Sequence, residues 1–325
     1  MSATRRSVYK LAVTSLLLFT SIAAAQTYPA KPVRLIAPFP AGGSSDLVAR
    51  IVAQKLTEAT SQQFLVDNRP GAGGTLGTEL GARAVPDGYT LVIGNISGLA
   101  VNPHLVKKLP YDPLRDFSSI SLLAVGTTAL VVHPSLPVRS VKALIALAKA
   151  RPGALNYGSG GTGTPSHLVG ELFKSMAHVD IIHVPYKGTG QSINDLLAGQ
   201  IQLVFASMPV ALPHVKTGRL RALAVSSEKR SPLAPEYPTV AESGIPGFAF
   251  DSWWGLNGPA QMRADAIAKL NALSLNLLKQ SDTRERFAAL GLEPMSSSPQ
   301  QYTEFVKSEL EKIGRVVKAI GLQPE

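Results

Sequence analysis

Two glycine-rich segments of the sequence hold the residue types that bind small anions. One runs from Pro38 to Asp46 and the other from Gly158 to His167, and each lies between a predicted strand and a predicted helix. Glycines let the backbone approach a ligand closely, and the free amides at a helix start carry partial positive charge. Either segment alone is also compatible with an ordinary tight turn. Two such segments in one chain predict the two sides of an anion-binding cleft.

The second segment is dense in hydrogen-bond donors. It contains four glycines, four hydroxyl side chains and a histidine in the first helical turn. Hydroxyls and backbone amides are suitable donors to the oxygens of a carboxylate. Residues 158–163 also match a single G-x-G-x-x-G string, but the nearest following acid, Asp180, begins a strand, whereas ribose recognition needs an acid at a strand's end. The segment therefore predicts carboxylate binding and argues against a dinucleotide site.

Residue spacing gives little support to catalysis or metal binding. No serine lies in a G-x-S-x-G elbow, and the six histidines show no H-E-x-x-H or similar ligand spacing. Cysteine is absent, which removes thiolate nucleophiles and cysteine-bound metals. The sequence predicts no metal and no cofactor. An exported enzyme that uses His167 as a base stays open as an alternative.

The N-terminus and the composition indicate an exported, folded protein. The 325 residues are 45% hydrophobic and 17% charged, which is sufficient for a substantial core. Arg5, Arg6 and Lys10 precede an uncharged apolar run from Leu11 to Ile22, and small residues follow as far as Ala25. This order is typical of a secretory signal peptide. We expect cleavage near Ala25 and a periplasmic location, with the general and the twin-arginine export routes both open.

The charge balance favours an anionic ligand. The chain has 32 lysines and arginines against 22 acidic residues, a formal net charge of +10. Such a balance attracts small anions, nucleic acid or anionic lipid. Export, an aromatic content of 6% and the lack of a dense basic cluster or recognition motif argue against nucleic acid. Small anions are therefore the expected ligands.

Strand and helix patterns alternate along the chain, which is typical of parallel sheets flanked by helices. Predicted strands cover residues 33–38, 64–68, 89–94, 129–133, 155–158, 180–184, 201–205, 220–226 and 248–256. Predicted helices cover residues 44–58, 75–84, 140–149, 165–176, 191–198, 262–280 and 299–319. The proline- and glycine-rich residues 232–247 are typical of a crossover between domains.

The pattern predicts an α/β protein of two lobes, each a mixed sheet flanked by helices. We expect residues 1–25 to be the signal peptide, residues 26–123 plus 240–325 to form lobe I, and residues 124–239 to form lobe II. The last two helices are expected to pack back on lobe I.

Motifs along the whole mature chain resemble one protein family. In order they are Tyr28 to Arg34, Pro38 to Asp46, Asp67 to Gly74, Pro110 to Pro113, Gly163 to His167, Pro185 to Gly188 and Pro238 to Glu242. The sequence resembles the Bug family, the TctC-type substrate-binding proteins of tripartite tricarboxylate transporters. The resemblance implies a two-lobed Venus-flytrap fold, type II-like among periplasmic binding proteins, and a small carboxylate held largely by backbone amides and bridging waters.

The resemblance also implies ligand-binding residues, position by position. They are Ala41, Gly42, Gly43 and Asp46 on one side, Thr162, Gly163, Thr164, Ser166 and His167 on the other, with Ser97, Tyr186, Ala206 and Ser207 beside them. Many relatives carry Asp-Asn where this chain has Ala206 and Ser207. An acid there would pair with a ligand's ammonium group, so we expect a plain carboxylate here in preference to an amino acid.

Together these features predict an extracytoplasmic solute-binding protein that captures a mono-, di- or tricarboxylate between two lobes for uptake by a membrane transporter. The expected partners are the carboxylate and the permease subunits of a tripartite tricarboxylate transporter, and the protein itself is expected to be a monomer. Two alternatives remain. One is a ligand-sensing periplasmic partner of a signalling protein, and the other is an exported carboxylate-processing enzyme.

Overall fold

The computed structural model describes residues 28–324 of the chain. The predicted signal peptide, residues 1–25, lies outside the described residues and stays a prediction. Among residues 28–324, no helix combines the length and the apolar character that crossing a lipid bilayer requires.

Strands and helices alternate through most of the described chain. The first half contains β1 (Val33–Ala37), α1 (Ser44–Thr60), β2 (Phe64–Asn68), α2 (Thr75–Ala82), β3 (Thr90–Asn95), α3 (Asn102–Leu105), β4 (Phe117–Val132), α4 (Val141–Ala150) and β5 (Asn156–Ser159). The second half contains α5 (Pro165–Ala177), β6 (Ile182–Pro185), α6 (Thr189–Leu197), β7 (Leu203–Ser207), α7 (Met208–Lys216), β8 (Arg221–Val225), β9 (Asp251–Pro259), α8 (Ala264–Leu277), α9 (Ser281–Ala289), β10 (Glu293–Pro294) and α10 (Pro299–Ala319).

The long strand β4 belongs to two sheets. Up to Thr127 it pairs antiparallel with β9, in a sheet whose order is β2-β1-β3-β9-β4 and which we call sheet A. From Thr128 onward it pairs antiparallel with β7 and β8, in a sheet that continues through β5 and β6 and which we call sheet B. The sheets are therefore joined through a continuous strand.

Ser226, which is fully buried, ties together the segments that pass between the sheets. Its N–H donates to the carbonyl of Thr128 (2.8 Å), and its Oγ accepts from the N–H of Thr128 (3.0 Å). The N–H of Phe250, just before β9, donates to the Ser226 carbonyl (2.8 Å). The crossing points of the chain are thus hydrogen-bonded to one another at a single residue.

Both faces of sheet A are buried. Leu35 and Ala37 of β1 join one apolar core, whereas Ile36 between them joins another. Because successive side chains of a strand point to opposite faces, this division shows that helices cover the sheet on both sides. Helices α1 and α8 cover one face, and α10 covers part of the other.

Most predicted elements are present within a few residues of their predicted bounds, and the α/β class with mixed sheets is confirmed. The predicted strand at 129–133 is only the end of β4, whose register shifts near Ser119 and Leu122 obscure its alternation. The lobe boundary predicted after residue 123 lies inside this strand. The sequence does not predict α7, which contains Pro209 in its first turn and Pro213 inside, or α9.

Tyr302 anchors α10 to sheet A. Its side chain is fully buried, and its hydroxyl donates to Asn257 Oδ1 of β9 (3.0 Å). The ring lies directly over Gly255, where a Cβ atom would overlap the phenol. The predicted start of this helix is also present, since Ser298 caps it by accepting from the N–H of Gln301 (3.1 Å).

Gly255→Ala should lower the free energy of unfolding by about 1–3 kcal/mol, because the added methyl overpacks the buried contact with Tyr302. Urea titration followed by circular dichroism measures the change. Gly190→Ala is the control, since a methyl group there meets nothing within 4 Å and alanine favours the helix. Equal stability of the two variants would contradict the packing described here.

Candidate ligand-binding cleft

A cleft of about 570 Å³ lies where the two sheets meet. Its lining residues are Phe39 to Ser45, Asn95 to Ser97, Thr128, Gly160, Thr164 to Ser166, Lys187 to Gln191, Ile193, Asn194, Phe205, Ser207, Pro209, Val210, His214, Ser252 and Trp254. They come from β3, β9 and the start of α1 on one side and from sheet B and its helices on the other. Strands β3 and β7 reach the cleft with their carboxyl ends, where open α/β sheets usually bind ligands.

Four helices begin at the cleft. The residues that precede α1, α5 and α6 or cap α7 are Gly43, Thr164, Gly188 and Ser207, and all four line it. Gly43 and Gly188 have no side chain to cap their helices, and Thr164 and Ser207 make no side-chain capping hydrogen bond. Each helix start is equivalent to about half a positive charge. The cleft therefore has a positive potential built from backbone dipoles.

Ionisable side chains do not oppose this potential. Among the lining residues that the structure describes, none is an aspartate or glutamate, and the ionisable ones are Lys187 and His214. Burial, with a contribution from nearby Arg219, lowers the pKa of His214 below its ordinary value. Its ring is therefore neutral at neutral pH. An anion in the cleft would meet no carboxylate of the lining.

Asp46 shapes the first glycine-rich segment from behind. Its Oδ2 accepts from the N–H of Gly42 (2.9 Å) and from Arg50 Nε (2.9 Å), and its Oδ1 accepts from Asn68 Nδ2 (3.0 Å). Burial favours a higher pKa, but these hydrogen bonds hold the pKa of Asp46 below its ordinary value. The carboxylate is thus ionised, its oxygens are hydrogen-bonded by residues around the loop, and it does not line the cleft.

Internal hydrogen bonds also fix the second segment. The N–H of Gly160 donates to Ser166 Oγ (2.9 Å), and Thr164 Oγ1 donates to the carbonyl of Gly161 (2.7 Å). Gly161 and Gly163 have φ angles of +120° and +75°, which favour glycine. These contacts hold Gly160 and the residues from Thr164 to Ser166 at the cleft.

Two stacked histidines support this turn. His167 Nδ1 accepts from the N–H of Gly163 (3.1 Å), and its ring stacks on His183 with centroids 4.2 Å apart. His183 in turn stacks on Tyr157 (4.9 Å) and shares a hydrogen bond between its Nε2 and Ser159 Oγ (2.6 Å). The acceptor role of His167 requires a neutral Nδ1. Both rings lie beneath the segment and outside the cleft.

The floor of the cleft is a strip of side chains from four adjacent strands. Asn95 of β3 pairs with Trp254 of β9, and Thr128 of β4 pairs with Ser207 of β7. Ser252 of β9 lies opposite Gly126, two residues before Thr128 on the same face. The five side chains therefore point to one face and form a continuous row, which we call the floor strip.

Ser45 connects the first segment to this strip. Its Oγ accepts from Asn95 Nδ2 (3.0 Å) and from Trp254 Nε1 (3.2 Å). The N–H of Gly98 donates to Asn95 Oδ1 (3.1 Å), which orients the amide so that its nitrogen faces Ser45. Two accepted hydrogen bonds occupy both lone pairs of the Ser45 hydroxyl. Its proton is left as a donor at the start of α1.

The two sides of the cleft are in contact. Ser44, the first residue of α1, and Ser207, at the start of α7, share a hydrogen bond between their hydroxyls (2.5 Å). A Cβ atom on Gly188 would lie 3.6 Å from Pro40 Cγ across the same opening. The structure therefore represents a closed arrangement.

Seven of the residues implied by the sequence line the cleft: Ala41, Gly42, Gly43, Ser97, Thr164, Ser166 and Ser207. The other six lie elsewhere. Asp46, Gly163 and His167 support the loops as described above, and Thr162 is exposed. The Tyr186 hydroxyl donates to Asp195 (2.8 Å), and Ala206 is fully buried in the core of sheet B. Because side chains alternate along β7, position 207 faces the cleft and position 206 does not.

Sequence reasoning missed most of the floor strip. Asn95, Thr128, Ser252 and Trp254 line the cleft, and so does Ser45. The polar ends of β3 and β7 give a signal for Asn95 and Ser207, since ligands bind at the carboxyl ends of strands. Thr128 and Ser252 lie inside long, buried strands, and only the pairing of β4 with β9 brings them to the cleft.

A family model described as tripartite tricarboxylate transporter family receptor matches residues 48–322. The chain belongs to this receptor family. BugT of Bordetella pertussis is 38% identical over 298 residues, which cover 91% of each chain. An R. palustris structure with adipate shows 35% identity and a TM-score of 0.89, covering 92% of this chain and 100% of that chain. MatC from Rhodopseudomonas palustris, with bound malate, shows 30% identity and a TM-score of 0.84, covering 89% and 100%.

Membership of the receptor family confirms several expectations from the sequence. The Bug resemblance, the two-lobed periplasmic binding protein fold and the solute-binding function are confirmed. The family consists of substrate-binding receptors of periplasmic transport and not of enzymes, so an exported enzyme loses its support. Within residues 28–324, no group of three or more histidines or carboxylates is placed to hold a metal ion.

The histidine stack makes stability depend on pH. Burial and the neighbouring His167 lower the pKa of His183 from 6.5 to about 4, Lys174 acts in the same direction, and Glu171 opposes them. Between these two values the unfolded chain binds a proton that the folded chain does not. The contribution of His183 to the free energy of unfolding is therefore fully present above about pH 6.5 and is lost as the pH falls towards 4.

His183→Gln should reduce this acid-induced loss by about 1–2 kcal/mol, since solvent reaches part of the ring and weakens the burial penalty. The measurement is the urea unfolding free energy of each protein at pH 7 and pH 4.5. His178→Asn, at an exposed histidine that ends α5, is the matched control and should behave like the unaltered protein. An unchanged pH slope in His183→Gln would contradict the assignment.

Proposed function

We propose that this receptor captures a small carboxylate in the cleft between sheets A and B and presents it to a membrane transporter. The observation that carries the proposal is the convergence of four helix starts on a cleft whose described lining has no acidic side chain. The two solved relatives named above contain adipate and malate, both small carboxylates. We infer that the ligand of this chain belongs to the same chemical class.

The ligand carboxylate is expected to lie between the starts of α1 and α5. On one side the N–H groups of Ser44 and Ser45 in the first turn of α1 and the hydroxyl of Ser45 are available donors, and on the other the N–H of Ser166 in the first turn of α5. Each side supplies half of the hydrogen bonds, so the carboxylate is fully coordinated only when the two sides approach. Differential affinity for the closed form would then drive closure.

The division into lobes and the partners form part of the same proposal. We propose residues 26–123 plus 240–325 as lobe I, residues 124–239 as lobe II, and export followed by cleavage near Ala25. The family implies permease partners, and we propose that a permease of a tripartite tricarboxylate transporter recognises the closed form of a monomeric receptor.

Ser207→Asp tests the sign of the ligand's charge. Aspartate is a good helix cap, so α7 should be retained, but its carboxylate would face the cleft. Two like charges about 4 Å apart repel by about 4 kcal/mol at the effective dielectric of a protein surface. We expect affinity for a carboxylate to fall at least about tenfold, measured by calorimetry with succinate, malate, adipate and citrate.

Ser207→Asn is the control for this experiment, because asparagine has the shape and the helix-capping preference of aspartate without its charge. It should bind within about threefold of the unaltered protein. Equal affinities of the aspartate and asparagine variants would contradict an anionic ligand. A lack of binding to all carboxylates of the panel would contradict carboxylate capture itself.

A further inference from the structure

Three largely buried side chains in the cleft carry hydroxyl groups without a hydrogen-bond partner among the described residues. Ser97, Thr128 and Ser252 are 2%, 2% and 4% exposed and line the cleft. Among the described residues, none of their hydroxyl groups has a hydrogen-bond partner. Thr283 Oγ1 is the one unpartnered side-chain atom among the described residues that is fully buried, so these three hydroxyl oxygens still reach the cleft space. A ligand that covers them must supply their hydrogen bonds.

Two of them, Thr128 and Ser252, lie side by side on the floor strip. Ser252 lies opposite Gly126, and Thr128 is the next residue of β4 on the same face. Such diagonal neighbours on adjacent strands are about 7–8 Å apart at Cα, so one substituent between them can reach both hydroxyls. Thr128 lies within the long strand β4, and Ser252 lies near the start of β9, where it pairs with Gly126 of β4.

The chemistry of this pair differs from that of the helix starts. A hydroxyl both donates and accepts hydrogen bonds, whereas the backbone N–H groups of the helix starts and the Lys187 ammonium only donate. The strand neighbours of these two residues on the floor strip are Ser207, Gly126 and Trp254. None of these three neighbours carries a positive charge. A neutral group that also donates and accepts, such as an alcohol, matches this pair best.

An unsubstituted alkyl chain would leave both hydroxyls unpaired. An unsatisfied buried polar group costs about 1–3 kcal/mol, and a site built to hydrogen-bond a ligand hydroxyl discriminates strongly against the analogue that lacks it. Specificity therefore follows from the penalty on the plain ligand as much as from the gain with the hydroxylated one.

We propose that Thr128 and Ser252 determine specificity by hydrogen-bonding an alcohol group of the ligand, so that this receptor selects a hydroxycarboxylate over the matching unsubstituted carboxylate. The proposal rests on carboxylate capture in the same cleft. The helix starts bind the carboxylate, and Thr128 and Ser252 of the floor strip hydrogen-bond the hydroxyl substituent on the carbon chain.

Matched ligand pairs that differ by one hydroxyl test this assignment. The probes are propionate with lactate, succinate with malate, and glutarate with 2-hydroxyglutarate, titrated by calorimetry into the purified chain. In the pair that binds most tightly, we expect the hydroxylated member to bind at least about tenfold more tightly. Thr128→Val keeps the buried shape and should reduce that ratio at least about fivefold, the effect of losing one hydrogen bond of typical strength.

Ser252→Ala is a second, independent variant and should reduce the ratio similarly. Ser119→Ala removes a hydroxyl from the same strand β4 outside the cleft and should leave the ratio unchanged. If the unaltered protein binds both members of every pair equally, or if neither cleft variant changes the ratio, the hydroxyl assignment is overturned while carboxylate capture stands. If no member of any pair binds, carboxylate capture itself fails, and the assignment fails with it.

Discussion

Strand β4 belongs to both sheets, and this continuity determines where every part of the cleft lies. Because β4 changes partners between Thr127 and Thr128, the carboxyl ends of β3 and β7 come to the same opening from opposite sides. The helices that follow the strands then begin at that opening. Hydrogen bonds around Ser226 hold the crossing segments in this arrangement. Without the shared strand, the two glycine-rich segments would have no fixed relation to each other.

The electrostatics of the cleft come from the backbone more than from side chains. Helix starts supply positive potential without the conformational entropy that a flexible lysine loses on binding. Asp46 is the one carboxylate of the first segment, and its oxygens accept hydrogen bonds from Arg50, Asn68 and the N–H of Gly42. A negative side chain thus gives the loop its shape while leaving the opening free for an anion.

Local patterns in the sequence predict the units that hold the loops, because strand, glycine-rich turn and helix are adjacent in the chain. They do not predict the floor strip, since Thr128, Ser207 and Ser252 meet only through pairing between distant strands. Position 206 illustrates the same limit. The sequence shows that Ala206 and Ser207 end a strand, but it does not show which of the two side chains faces the cleft, because this depends on the alternation of β7. The prolines of α7 similarly conceal a helix, because Pro209 is tolerated in its first turn whereas Pro213 lies inside it, where sequence patterns predict a break.

The hydrogen bonds at Ser226 also constrain how such a receptor moves. The peptide groups of Thr128, Ser226 and Phe250 are joined at one buried point. Sliding one sheet past the other would break these bonds, whereas rotation about an axis through Ser226 would keep them. The hydrogen bonds at Ser226 therefore favour rotation of the two sheets about this point over sliding, so a ligand would leave the cleft as its two sides turn apart.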